Sequence, residues 1–208
     1  MINQFISQLQ NRLKTDLPGK KAHDLMSSPG RLAMEKVKPV NPRVSAVLIL
    51  LFPKENSIKL PLILRPKYDG VHSGQIAFPG GRREDEDHDI IDTALRETKE
   101  EIGVQIPRSQ VIGKLSELYI PPSNSLVTPV VAYSKNDIKY EIDRTEVDQV
   151  FDVPLNYFKK PENKKMISMN VRGLKFVAPS FQVAGQTVWG ATAMMISELV
   201  MILNESND

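Results

Sequence analysis

Apolar residues recur along this chain with two different periods, and the changes between them lay out most of its elements. Ile2, Phe5, Ile6, Leu9 and Leu13 return every three or four positions. That spacing predicts an amphipathic helix over residues 2–14, packed by one face on the protein's own body. From Pro18 to Pro42 the period is lost, and a stretch punctuated by Pro, Gly and Ser is expected to wrap the body as a loop. Val44 to Phe52 is continuously apolar, the pattern of a buried strand. Leu60 to Arg65 is its expected antiparallel partner, with PKENSI (Pro53 to Ile58) between them as the turn.

Further on, Ile76 to Phe78 reads as a short strand ahead of the Gly80-Gly81 turn. A helix is predicted from about Asp89 to Ile102, closed by Gly103, a residue that takes the left-handed conformation readily. Strand-like runs follow at Val111–Tyr119, Val127–Tyr133, Asp148–Val153, Met166–Asn170 and Leu174–Val177, with a solvated basic loop at Lys159–Lys165. Ala, Met, Ile, Leu and Val at core spacing predict a last helix over Gly190–Leu203. Mixed strands with two main helices imply an α+β fold or a three-layer sandwich. Residues 1–43 are expected to add a helix and a wrapping loop to a domain spanning 44–208.

Composition narrows the function classes. A chain of 208 residues with 41% hydrophobic and 25% charged content is built to bury one core. Its net charge of +2 gives no drive toward nucleic acid or an anionic membrane surface. The absence of cysteine excludes disulfides, thiolate zinc sites and a cysteine nucleophile. The longest apolar run, Ala46 to Phe52, falls far short of the roughly 20 residues of a spanning helix. The first residues lack the basic start and apolar block of a secretory signal, so a cytoplasmic location is the expectation.

The chemistry concentrates behind Phe78-Pro79-Gly80-Gly81. On a helical wheel with Glu97 at zero, Ile91, Leu95, Thr98 and Ile102 form an arc centred at roughly 130°, expected to face the core. Glu97, Glu100 and Glu101 occupy a separate arc from about −60° to 40°. Like charges at these spacings repel by a few tenths of a kcal/mol per pair, and Arg96 at i,i+4 is expected to relieve only Glu100. Such a flank is either a solvated face or a site for a hard divalent cation, which takes oxygen ligands and is bound through carboxylates and substrate phosphates. The turn favours the second, because two glycines bring bare backbone close to a ligand.

Gly81 followed by Arg96-Glu-Thr-Lys-Glu-Glu-Ile-Gly103 resembles the box of the Nudix hydrolases, Gly-x5-Glu-x7-Arg-Glu-U-x-Glu-Glu-x-Gly-U, U being a bulky apolar residue. Thr98 stands at an apolar position, and the interval from Gly81 to Arg96 is one residue longer than the general box. Asp87 therefore matches the first Glu counted from Gly81, and His88 matches it counted from Arg96. The longer interval is shared by a subgroup resembling the coenzyme A diphosphatases. So is an upstream signature, met here at Arg65, His72, Gly74, Gln75 and Phe78 to Gly81. Pro66 and Asp69-Gly70 depart from it, the latter removing an arginine able to contact phosphate. The segments Tyr119–Val131, Glu146–Leu155 and Val188–Met195 are also similar to the subgroup, so the resemblance spans about Val44 to Leu203.

The resemblance implies an α/β/α sandwich with a mixed β-sheet. It also implies a hydrolase that cleaves a nucleoside diphosphate linked to another group, most simply coenzyme A to 3′,5′-ADP and 4′-phosphopantetheine. The implied cofactor is Mg2+ or Mn2+, with Glu97 and Glu101 as metal ligands and Glu100 as a third, direct or through water. Arg96 would orient a glutamate. The general base is Glu100 or Glu146, the latter otherwise an exposed loop carboxylate. Arg65, His72, Gln75, Gly80 and Gly81 are the substrate-binding candidates. His72 alternatively has a structural role, and Arg65 alternatively makes a surface salt bridge. Tyr119, Pro121 and Pro122 are candidates for a base or pantetheine pocket, with Trp189 expected in the core. ADP-ribose or another nucleotide is the alternative substrate, and a non-catalytic nucleotide sensor the alternative of another class. The expected partner is a small nucleotide, with a homodimer the family habit.

Overall fold

The computed structural model describes residues 2–34, 39–171 and 173–204. Three helices come first: α1 (Ile2–Arg12), α2 (Lys20–Asp24) and α3 (Pro29–Met34). Next come β1 (Arg43–Lys54), β2 (Ser57–Leu64), β3 (Ile76–Ala77), β4 (Gly80–Arg82) and α4 (Ile90–Ile102). They are followed by β5 (Val111–Lys114), β6 (Leu118–Ile120), β7 (Ser125–Tyr133), β8 (Gln149–Pro154) and α5 (Leu155–Lys159). The chain closes with β9 (Lys164–Val171), β10 (Leu174–Val183), β11 (Gln186–Trp189) and α6 (Gly190–Asn204). The fold is α+β, with helices on both faces of a mixed sheet.

That sheet has eight strands, with the path β3-β2-β1-β7-β5 and with β4, β6 and β8 pairing onto β1, β7 and β2. β1 and β7 run parallel and the other pairs antiparallel. The continuous apolar run of β1 follows from its central place, since a strand covered on both faces has no solvent side. Its alternate residues divide between two cores: Ile49 and Leu51 join α1, α6 and the β8–α5 region, while Ala46, Leu48 and Leu50 face α4. Truncating Leu50, fully buried, would cost about 2–5 kcal/mol.

The pairing of β1 explains where the Gly-Gly turn sits. The end of β1 pairs with β2 through Phe52↔Lys59 to Lys54↔Ser57, across a Glu55-Asn56 turn whose residues both have positive φ. Its beginning pairs instead with β4, Ser45↔Arg82 to Val47↔Gly80. β3 stays with β2 (Ile63↔Ala77), so Phe78-Pro79 crosses from one strand to the other and the turn fills the split. That split lies beside α4, which packs on β1 and β4.

Several expected elements change. The wrapping loop contains α2 and α3, and α2 buries Ala22 and His23 against the body; residues 35–38 of that loop lie outside the described ones. The predicted strand Val111–Tyr119 is two strands, because Ser116 leaves the ladder with β7 and donates its N–H to Glu198. β4, α5 and β11 were not anticipated, being short elements held by pairing and packing rather than by a period of their own. Part of the expected basic loop is the start of β9, in a second sheet of order β11-β10-β9. Trp189, expected in the core, is half-buried at the edge of that sheet, its ring 5.9 Å from Phe176. Ile6, Leu9, Leu13 and Met26 of the N-terminal segment belong to the same core cluster as α6.

Candidate active site

α4 starts and stops where its sequence directs. Asp89 has extended dihedrals and accepts hydrogen bonds from the N–H groups of Ile91 (2.9 Å) and Asp92 (3.2 Å), satisfying donors that no helix can pair internally. At the other end Gly103, with φ of 71°, donates to Lys99 O and closes the helix. A side chain there would also meet Glu141, at 2.5 Å from its Cβ.

The buried face of α4 is turned from the expected arc. Ile91 and Leu95 are half-buried, whereas Ala94, Thr98, Glu101 and Ile102 go deepest, because β4 presses on the glutamate side of the helix. Glu101 is only 1% exposed. Its Oε2 accepts the Gly80 N–H at 2.8 Å and its Oε1 lies 3.2 Å from Arg65 Nη2, which also donates to Gly80 O at 2.7 Å. Burial pushes its pKa up to about 7; Arg65 and the Gly80 N–H oppose the rise, and Glu97 and Glu146 add to it. Glu97 is shifted the same way, first by burial, with Arg96 opposing. The Glu97 carboxylate lies directly against Gly81, where any Cβ would overlap it.

Arg96 is a hub rather than a single partner. It makes a two-point contact with Asp87 (Nε to Oδ1 and Nη2 to Oδ2, each 3.0 Å) and donates to Glu97 Oε1 at 3.1 Å, Glu100 Oε2 at 2.8 Å and Arg82 O at 2.9 Å. The expectation that it relieves only Glu100 fails because its Nη1 reaches Glu97 as well, and the turn before α4 folds back to bring Asp87 within reach too. Asp87 is buried and also accepts from Thr93 Oγ1 at 2.8 Å and the Glu84 N–H at 3.0 Å. These bonds, Arg96 foremost, hold its carboxyl well below the usual carboxylate range. It anchors the helix entry and is no part of the carboxylate cluster. Its place in the box, counted from Gly81, set it apart from Glu84, Asp85 and Glu86, which are exposed, but its pairing with Arg96 had no signal in the sequence.

Among the described residues, the carboxylates able to share one metal ion are Glu97, Glu101 and Glu146, whose oxygens lie within 4.8 Å of one another. The structure thus brings Glu146 of the β7–β8 loop onto two glutamates of α4. Glu100 stands apart, exposed and turned to Arg96. His72 Nδ1 lies 3.3 Å from Gln75 Oε1, and Gln75 Nε2 donates to Val71 O at 3.0 Å, so these two candidates brace one loop beside Arg65. Burial lowers the His72 pKa, leaving the ring neutral at pH 7.

The family model of the NUDIX domain matches residues 42–169. A mitochondrial coenzyme A diphosphatase of Mus musculus, NUDT8, is 32% identical over 165 residues, covering 78% of each chain. A Nudix hydrolase of Yersinia enterocolitica, NudL, is 28% identical over 208 residues, covering 98% of this chain and 100% of its own. Among solved structures, a MutT/nudix family protein from Enterococcus faecalis superposes with a TM-score of 0.51 at 15% identity, over 91% of this chain and 73% of that one. No helix among the described residues is long and apolar enough to cross a membrane.

Proposed function

The chain belongs to the NUDIX family as a Nudix hydrolase, and on that premise we propose that it is a metal-dependent diphosphatase cleaving coenzyme A or its derivatives to 3′,5′-ADP and 4′-phosphopantetheine. The observation that carries this reading is the convergence of Glu97, Glu101 and Glu146 beside the Gly80-Gly81 turn. The donors are all carboxylate oxygens, and among the described residues Arg65 and Arg96 are the cations that reach them. A set so short of positive charge fits Mg2+ or Mn2+, which Nudix hydrolases generally use. When bound there, the ion supplies charge neutralisation to the diphosphate oxygens.

The chain's own residues do the rest. Arg65 and the Gly80 N–H hold Glu101 in one orientation, and Arg96 holds Glu97 while its own position is set by Asp87. Water adds to one phosphorus, the bridging oxygen leaves with the other phosphate, and the proton passes to a carboxylate. Each of Glu97, Glu101 and Glu146 offers one oxygen to the ion, and the second oxygen of the exposed Glu146 suits the base role better than Glu100, whose carboxylate is tied to Arg96. The neutral His72 has a ring N–H to offer a phosphate oxygen, braced by Gln75. Coenzyme A rather than another nucleotide is favoured by the likeness to NUDT8 and by Arg65, His72 and Gln75 lying on the segment that leads into the turn. The proposal includes a cytoplasmic location and a homodimer.

A substrate panel of coenzyme A, ADP-ribose, NADH and 8-oxo-dGTP with Mg2+ or Mn2+ tests it. Release of 3′,5′-ADP from coenzyme A is the expected result, and cleavage of ADP-ribose alone would overturn the substrate assignment.

A further inference from the structure

Glu146 is an exposed carboxylate placed against two others, an arrangement that repulsion would disperse if the side chain were free to leave. Among the described residues no hydrogen bond holds its carboxylate, so what the fold fixes is the backbone that carries it. That backbone is anchored at both ends of a short turn. Before it, the N–H groups of Glu141 and Asp143 donate to the carbonyls of Ile102 and Glu101, each at 3.0 Å, pairing acceptors left over at the end of α4. After it, Val147 is fully buried in the α4-facing core and the Asp148 N–H donates to Leu64 O at 2.9 Å.

Between these anchors Asp143 folds the turn. Its Oδ1 accepts both the Thr145 N–H at 2.8 Å and the Thr145 hydroxyl at 2.7 Å. Its carbonyl accepts from the Glu146 N–H at 3.2 Å and the Val147 N–H at 2.9 Å. Glu101 therefore acts twice: its carboxylate belongs to the cluster, and its carbonyl docks the loop that delivers the third member. Gly103 keeps the docking surface clear, since a Cβ there would strike Glu141.

We propose that Asp143 and Thr145 are positioning residues that hold Glu146 over Glu97 and Glu101, so that the metal-binding cluster is assembled before the ion arrives. The inference rests on the reading of Glu146 as a member of that cluster. A turn ordered in advance spares the ion the cost of ordering it, so loosening the turn should appear in metal affinity as well as in turnover.

The test is Mn2+ binding by calorimetry, with kcat and KM, on D143A, D143N, T145V, E146Q and the double variant D143A/E146Q. Asparagine keeps the Oδ1 acceptor, so D143N should bind Mn2+ nearly as the parent does. D143A and E146Q should each weaken binding by roughly tenfold, the scale of losing a residue that orients a ligand, with T145V between D143A and the parent. The double variant should bind no more weakly than E146Q alone, because Asp143 acts through Glu146. Losses that multiply in the double variant, or a D143N as weak as D143A, would overturn the proposal. If D143A fails to fold, T145V decides: a parental Mn2+ affinity there overturns the proposal equally. An E146Q variant with unchanged Mn2+ binding and turnover would instead sink the reading of Glu146 itself.

Discussion

Glu101 and Glu198 are both withdrawn from solvent, yet they sit in opposite electrostatic surroundings. Glu198 on α6 receives the Gly19 N–H (3.1 Å), the Ser116 hydroxyl (2.6 Å) and N–H (3.3 Å) and the His23 ring (2.9 Å). Burial raises its pKa, but His23 and Ser116 outweigh that and the net shift is downward. Glu101 has one arginine and one backbone N–H, with two further carboxylates close by, and its shift is upward. Burial is common to both, so burial does not mark the carboxylate proposed to hold the metal; the partner set does. A saturated carboxylate ties elements together, here α2, α6 and the β5–β6 connection. A carboxylate short of donors keeps capacity for a ligand from outside.

The sharpest way to break this comparison is to remove each carboxylate in turn. E198A would leave His23, Ser116 and the Gly19 N–H without their acceptor, and should cost about 3–5 kcal/mol of unfolding free energy in urea titration. Its folded fraction should keep the kcat of the parent; a stable E198A protein would show that the node does not hold the N-terminal segment. E101Q should do the reverse, leaving stability within about 1 kcal/mol of the parent or above it. Turnover should fall on the order of 10²–10³-fold, equivalent to about 2.7–4 kcal/mol in the transition state.

Metal addition distinguishes the two sites without touching Glu198. Mn2+ at a hundred times its dissociation constant should add about 2.7 kcal/mol to stability, seen as a rise in melting temperature, and E101Q should abolish most of it. An equal rise in E101Q would place the ion elsewhere.

The subtlest readout is pH, because the change is spread over more than two pH units. In metal-free protein the folded pKa of Glu101 lies above the unfolded value, so its protonated form favours the folded state. That contribution is whole below about pH 4.5 and lost as pH rises toward 7, with a slope of at most about 1.4 kcal/mol per pH unit. Glu97, raised as well, adds in the same direction. Glu198 has the opposite sign, losing its contribution as pH falls below its unfolded range. Chemical denaturation of E101Q from pH 5 to 8 should therefore show a flatter profile than the parent, and an identical profile would refute the assignment.

Much of the fold was legible because strands and helices long enough to repeat their period announce themselves. β1, β7, α1, α4 and α6 lie close to their predicted spans, while β2 starts at Ser57 rather than Leu60, because the expected turn over residues 53–58 shrinks to Glu55-Asn56 and its flanks pair as strand. The short elements were not legible, since β4 is a strand only because β1 changes partner, and α2 is seated by His23 reaching Glu198. The site divides the same way. The helical repeat by itself put Glu97, Glu100 and Glu101 on one flank of α4, for residues three and four apart share a face whatever surrounds them. Which of them converge is a matter of what packs on that flank. β4 buries Glu101 and seats Glu97 against Gly81, Asp87 draws Arg96 across to hold Glu100 outward, and a loop 45 residues beyond Glu101 brings in Glu146. Local periodicity is written in nearest-neighbour geometry and survives in a linear string. Contacts between distant segments depend on the whole chain having closed its core, and those belong to the tertiary structure alone.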